Sequence, residues 1–211
     1  NVLSMIDWMA RLKINTLHFH LTDDNGWRLE IKKYPRLTET GAWRVNRMDV
    51  PFYFRRNPEP GEPTPIGGFY TQEDVKEMVA YAAERQIEII PEIDMPAHSN
   101  AALAAYPELT CPIVKSYIGV IPGLGGGNSG VIYCAGKDSA FTFLQNVLDE
   151  VMALFPSRYI HLGGDEAQKG YWEKCPLCQA RMKNEHLDNE EDLQGYFMKR
   201  MSDYAVSYTH L

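Results

Sequence analysis

Long apolar runs are missing from these 211 residues: no stretch approaches the roughly 20 consecutive apolar residues that a membrane-spanning helix needs, which excludes a membrane span. Blocks of lysine or arginine are missing as well. With 21 basic against 28 acidic residues, a net charge of −7 and a pI near 5.4, the chain offers no footprint for a phosphate backbone, and nucleic acid is not an expected partner. Cysteine is scarce. Four residues (Cys111, Cys134, Cys175, Cys178) do not make a disulfide scaffold in a chain long enough to bury its own core, and they leave the redox compartment open. Internal repeats and low-complexity tracts are absent. So are an initiating Met and a basic-then-apolar leader, and because apolar periodicity starts at residue 2 the chain reads as part of a longer one. What is present is 45% hydrophobic and 23% charged, with 4 Trp, 12 Tyr and 8 Phe, a composition that excludes a disordered chain.

Helical and strand periods alternate three times. Leu3, Ile6, Met9 and Ala10 share a helical face over residues 2–12, and residues 14–21 then read as a strand. Thr71 with Asp74 predicts a capping box, opening a helix whose face carries Val75, Met78, Val79 and Ala82, and a strand follows over 87–94. Asp138 or Ser139 is expected to cap a third helix bearing Phe141, Leu144, Leu148, Val151, Met152 and Phe155. Pro156 closes it, and residues 158–163 form the third strand. Such alternation predicts an α/β fold with a parallel sheet, either doubly wound or closed into a barrel. A closed (β/α)₈ barrel takes about 250 residues, so three strands amount to part of one. Irregular stretches over 22–70 and 107–137, the second containing the glycine-rich run 123–128, have the length of functional loops.

Strand parity is more informative still. Side chains alternate between the two faces of a strand, so Leu17, Phe19 and Leu21 share the face that meets helices, and His18 and His20 share the other. By the same alternation Glu92 and Asp94 point inward at the end of the second strand, and the third ends His161-Leu-Gly-Gly-Asp-Glu166. Acids and imidazoles thus gather at the C-terminal ends of three parallel strands, where α/β enzymes build their sites. Unpaired buried charge is costly, so a purely structural core does not select these residues. Asp165 and Glu166 are adjacent, and Gly163-Gly164 allows the bend that delivers both to one pocket. Two carboxyls so close do not ionise independently. A raised pKa on one of them suits a general acid.

Four segments in order, His18-Phe-His-Leu-Thr-Asp-Asp-Asn-Gly-Trp-Arg28, Gly67-Gly-Phe-Tyr-Thr-Gln-Glu-Asp-Val75, Pro91-Glu-Ile-Asp-Met-Pro-Ala-His98 and His161-Leu-Gly-Gly-Asp-Glu166, resemble glycoside hydrolase family 20, the β-N-acetylhexosaminidases. The resemblance runs from residue 1 to about Met201. It implies a (β/α)₈ TIM barrel, of which this chain supplies about strands 2 to 4, and a tail over 202–211 outside the family pattern. It also implies retaining, exo-acting removal of terminal N-acetylglucosamine or N-acetylgalactosamine from a glycan or chitooligosaccharide. In that chemistry the substrate's own 2-acetamido oxygen is the nucleophile and an oxazolinium-like intermediate forms, a substrate-assisted exception to the two-carboxylate rule. Carried over by motif, Asp165 holds the acetamido N–H, Glu166 is the acid and later the base, Asp23 and His98 hydrogen-bond toward the acid, and Asp94 and His161 hold the site's geometry. No metal and no cofactor take part. Trp172, just past the acid pair, is a candidate floor for the leaving group, whereas Trp27 and Trp43 are expected to pack loops. Family habit implies a secreted or periplasmic location. The family's sugar-gripping arginine on its first strand and the tryptophans of its later strands have no counterpart in this chain, and position 97 is Ala where the family has Gly.

Two other functions stay open on the residues alone. His18-x-His20 with His98, His161 and Asp94 or Asp165 has the look of a metal-dependent hydrolase of amidohydrolase type, because imidazoles at i and i+2 face one way. A catalytically inactive sugar-binding fragment is the other. Cys175-Pro-Leu-Cys178 has the spacing of half a zinc site, with Cys111 and Cys134 as candidates for the rest, but that second pair lacks the spacing. The preferred expectation for that second pair is a disulfide bracketing the long loop if the protein is exported.

Overall fold

Asn1 starts the chain as a helix cap: its side-chain oxygen accepts the Ser4 amide at 3.0 Å, satisfying one of the free N–H groups of α1 (Val2–Arg11). The computed structural model describes residues 1–124 and 130–209, so the part of the glycine-rich run from Gly125 to Asn128 lies outside the described residues. Ile6 and Met9 of α1 turn inward, and the chain then enters β1 (Thr16–His20). Two short antiparallel pairs follow inside the long loop, β2 (Thr22–Asp23) with β3 (Gly26–Trp27) and β4 (Trp43–Arg44) with β5 (Ile66–Gly67), separated by the single turn of α2 (Arg36–Glu39). The half-buried Arg28 guanidinium ties this loop together by donating to the carbonyls of Asn25, Ala42 and Gly68.

The predicted capping box is present at α3 (Gln72–Ala83). The Asp74 amide donates to the Thr71 hydroxyl at 3.1 Å and the Thr71 amide donates back to Asp74 at 2.8 Å, an arrangement that stabilises a helix start by about 1 kcal/mol. Val75, Met78 and Ala82 bury against β6 (Glu88–Glu92). β6 pairs in parallel with β1, Leu17 opposite Ile89 and His20 opposite Glu92. After α4 (Asn100–Ala105) and the second long loop comes α5 (Asp138–Leu154), whose Phe141, Leu144, Leu148 and Val151 are fully buried. Two helices close the chain, α6 (Pro176–Asn184) and α7 (Glu190–Thr209), and α7 runs without interruption past Met201. The Phe141 and Phe197 rings meet at 4.7 Å and seal α5 onto α7. Among the described residues no helix is long and apolar enough to cross a membrane.

Two local expectations are corrected. Neither Asp138 nor Ser139 caps α5 with a side chain; the helix begins at Asp138, whose carboxylate instead accepts from Arg181 at 2.8 Å and Arg200 at 2.7 Å, joining α5 to α6 and α7. Charge pairing across three helices outweighs a local cap. The third strand is reduced to a parallel bridge between Glu92 and His161. Its backbone still follows β6, with the His161 amide donating to Pro91 at 2.9 Å, the Ile93 amide to His161 at 3.0 Å and the Met95 amide to Leu162 at 3.1 Å. The ladder stops there because Gly163 and Gly164 take φ of +67° and +107°, outside extended geometry. The order across the layer is therefore β1, β6, residues 161–162, all parallel.

Candidate active site

β1 and β6 present their polar faces as parity requires, and the result is a hub on Glu92. This buried carboxylate lies 2.6 Å from His18 Nε2, 2.8 Å from His20 Nδ1 and 3.0 Å from His161 Nδ1. Burial raises its pKa, but the hydrogen bond from His20 and the charges of the three imidazoles hold it below the ordinary carboxylate range. His18 and His161 also stack, with centroids 4.6 Å apart. The i,i+2 imidazole pair that admitted an amidohydrolase-type reading thus closes onto one carboxylate of the neighbouring strand. His20 continues outward, its Nε2 3.0 Å from Asp23, and these two bonds push its pKa up to about 9.

His98 is the centre of a second group. Its Nδ1 lies 3.3 Å from Asp23 and 3.6 Å from Asp24, and its Nε2 lies 3.5 Å from both Asp165 and Glu166. The Asp23 and Asp24 carboxylates beside it outweigh burial and push the imidazole up to about 11, so it is an imidazolium at neutral pH. Burial acts to raise Asp23, yet the bonds from His20 and His98 and the Asp24 amide hold it well below the carboxylate range. His98 Nε2 is buried without a hydrogen bond of its own, aimed between the two acids. His98 and Glu166 share another feature: φ of +47° and +49°, a region that residues with a Cβ occupy only when their surroundings enforce it.

Asp94 supports the turn that carries the acids. It is buried, its amide donates to the Thr22 hydroxyl at 2.9 Å, and its Oδ1 accepts the Gly164 amide at 3.4 Å. Burial first, then the charge of Asp165, pushes its carboxyl up to about 7. A side chain at Gly163 would overlap Asp94 Oδ1, so this glycine permits both the positive φ and the close approach. From the other side, Gln194 of α7 donates to the Gly164 carbonyl at 2.7 Å. Asp165 and Glu166 themselves are exposed, and Glu166 lines a cavity of about 460 Å³ together with Asp23, Asp24, Phe52, His98 and Gln168.

Six of the predicted residues, Asp23, Asp94, His98, His161, Asp165 and Glu166, therefore fall into one connected neighbourhood. Trp172 does not join them, which corrects its assignment as a substrate contact. It is fully buried, donates its indole N–H to the Tyr133 carbonyl at 2.9 Å and packs on Phe197. An indole whose ring and N–H are both satisfied in the core is a packing residue. Trp27 and Trp43 pack loops as expected, donating to the carbonyls of Leu29 and Thr38. Asp24 was not singled out by sequence reasoning, although its place beside Asp23 in the first motif marks it; it shares His98 and accepts the Asn100 amide at 3.0 Å. Phe52, between the first two motifs, and Gln168, just past the fourth, carried no signal of their own.

The cysteines also depart from expectation. All four are free and buried, and Cys111 and Cys134 form no disulfide; the sulfurs of the four residues lie within 4.8 Å of one another.

Carboxylates at the C-terminal ends of parallel strands, with an imidazolium beside an exposed acid pair, form an arrangement suited to acid–base chemistry on a parallel α/β layer. The family follows from comparison with known proteins. The chain belongs to glycosyl hydrolase family 20: the model of that family's catalytic domain matches residues 1–210. It is 49% identical over 195 residues to a beta-hexosaminidase of Porphyromonas gingivalis, covering 92% of this chain and 23% of that protein. Among solved structures it is similar to the beta-N-acetylhexosaminidase of Bacteroides fragilis, at 46% identity and a TM-score of 0.79 over 99% of this chain and 37% of that one. A second is an exo beta-N-acetylglucosaminidase of Vibrio harveyi in complex with N-acetylglucosamine, at 35% identity and a TM-score of 0.79, covering 98% of this chain and 31% of that one. The chain thus spans about a quarter to a third of the length of these relatives, and catalytic domains of the family are TIM barrels.

Proposed function

We propose that the protein containing this chain is a retaining exo-β-N-acetylhexosaminidase acting on glycans or chitooligosaccharides that end in a β-linked N-acetylhexosamine. In this reading it is a secreted or periplasmic enzyme, and the chain contributes about strands 2 to 4 of the barrel. The observation that carries the proposal is His98 Nε2 at 3.5 Å from both Asp165 and Glu166, with Asp23 at 3.3 Å behind the same ring. Neighbouring acids on one loop do not flank a glycosidic bond from opposite sides, as an acid and an enzymic nucleophile do. They suit a reaction in which the sugar's 2-acetamido oxygen attacks the anomeric carbon, the glycosidic C–O bond breaks, and water later opens the oxazolinium ring.

Asp165 then accepts the acetamido N–H and stabilises the positive charge that develops on the ring. Glu166 gives its proton to the leaving oxygen and takes one from the incoming water. His98, kept cationic by Asp23 and Asp24, places its Nε2 3.5 Å from both acids. Glu92 orients His18, His20 and His161 beneath them.

The test compares an aryl 2-acetamido-2-deoxy-β-glucoside with the plain β-glucoside, using the full-length protein and its Glu166→Gln variant. Hydrolysis is expected to require the acetamido group and to fall by about 100-fold or more in the variant. Equal cleavage of the two sugars, or full activity in Glu166→Gln, overturns the proposal.

A further inference from the structure

Behind the acid-bearing loop, at the junction of the second long loop with α6, four sulfurs meet. Cys111 and Cys134 arrive from the two ends of the long loop, Cys175 is the residue before α6, and Cys178 sits in its first turn. The Sγ atoms of Cys111 and Cys178 are 3.7 Å apart, those of Cys134 and Cys178 3.7 Å, and those of Cys134 and Cys175 3.8 Å. All four side chains are at most 1% exposed. Four thiolates around a zinc ion at about 2.3 Å form a tetrahedron with edges of about 3.8 Å. The three distances match that edge, and no single pair is drawn together at the expense of the others.

From this geometry we propose that Cys111, Cys134, Cys175 and Cys178 form a closed structural zinc site. Soft thiolates in a tetrahedral array select zinc among abundant divalent ions, and four protein ligands in a buried setting leave no position for substrate or water, which makes the site structural. The Gly136 amide is directed at the Cys134 sulfur, and Cys175 and Cys178 lie at the N-terminal end of α6. A Cβ on Gly136 would collide with the backbone of Leu177 and Cys178, so the turn after Cys134 is built to lie directly on the start of α6. On binding, zinc replaces the thiol protons, which pass to solvent.

The consequence is a clamp on the catalytic loop. The segment from Gly163 to Cys175 carries both acids, is pinned near its end by Trp172 on the Tyr133 carbonyl, and terminates in the sulfur cluster that Cys134 joins from the same side. The metal fixes the far end of that segment to the second long loop. None of its ligands belongs to the acid and imidazole groups of the active site.

The test uses the full-length protein, purified without metal-affinity chromatography. Elemental analysis is expected to find one zinc ion per chain, released when a mercurial blocks the thiols, and cobalt substitution is expected to produce the strong thiolate charge-transfer and tetrahedral d–d absorption bands. Cys178→Ser is expected to weaken zinc binding by at least about 100-fold, more than loss of an outer partner costs, and Cys111→His, which keeps a zinc-competent donor, to retain the metal. His161→Ala is expected to keep its zinc, since the ligands lie outside the histidine cluster. Protein as purified with four titratable thiols and no zinc, a disulfide between any two of these cysteines, or zinc lost from His161→Ala but kept in Cys178→Ser overturns the site.

Discussion

Asp94→Asn should make the protein more stable above neutral pH, even though it alters a residue beside the acid pair. Asp94 is 3% exposed and faces Asp165 and Glu92 as well as the His98 cation, and burial with the Asp165 charge pushes its carboxyl from the ordinary 3.8 to about 7. A carboxyl whose pKa is higher in the folded than in the unfolded chain binds more protons when folded. Its contribution to stability is therefore present at low pH and is lost as pH rises from about 4 through 7. At about 1.4 kcal/mol for each pH interval, the ionised form costs the folded state about 4 kcal/mol by pH 8. An amide is neutral throughout and keeps an oxygen for the Gly164 N–H. Urea unfolding of both forms at pH 4.5, 6, 7 and 8 gives the difference directly, because contributions shared by both proteins cancel. The variant is expected to lead by about 1 kcal/mol at pH 4.5 and by about 4 kcal/mol at pH 8. A difference that stays flat across this range, or wild type more stable at pH 8, refutes the assignment of buried charge to Asp94.

Gly163→Ala forces a Cβ into positive φ and onto the Asp94 carboxyl, and is expected to cost about 2–4 kcal/mol together with most of the activity; an unchanged thermal midpoint contradicts the close approach. Asp23→Asn removes the largest contribution that keeps His98 cationic, so the alkaline limb of the kcat/KM profile should move to lower pH, and an unmoved limb counts against the link. Trp172→Phe loses a buried N–H donor and is expected to lower stability by about 1–3 kcal/mol with KM unchanged, whereas a raised KM with full stability restores the substrate contact.

Much of the site was legible because the signals that mark it are local. Alternation along five residues is enough to put His18 and His20 on one face and Leu17 on the other, and the same rule turns Glu92 inward. Thr71 and Asp74 form their box within one turn of chain, and Gly163-Gly164 announces a bend. Asp138 was misread for the same locality: as a residue at a helix start it looks like a cap, and only the placement of α6 and α7 brings Arg181 and Arg200 within reach.

Sequence by itself thus determined the helix–strand alternation, the polar face of the strands and, through four motifs in order, the family. Tertiary structure decided what those residues touch. His98 gains its charge because Asp23 and Asp24 fold back beside it while Asp165 and Glu166 arrive from 67 or more residues further along the chain. Trp172 sinks into the core, and Cys111 and Cys178 come to 3.7 Å, across separations that no periodicity encodes. Periodicity records which face a side chain takes on its own element; its neighbours on other elements depend on how those elements pack, and close packing of buried side chains is a property of the whole chain.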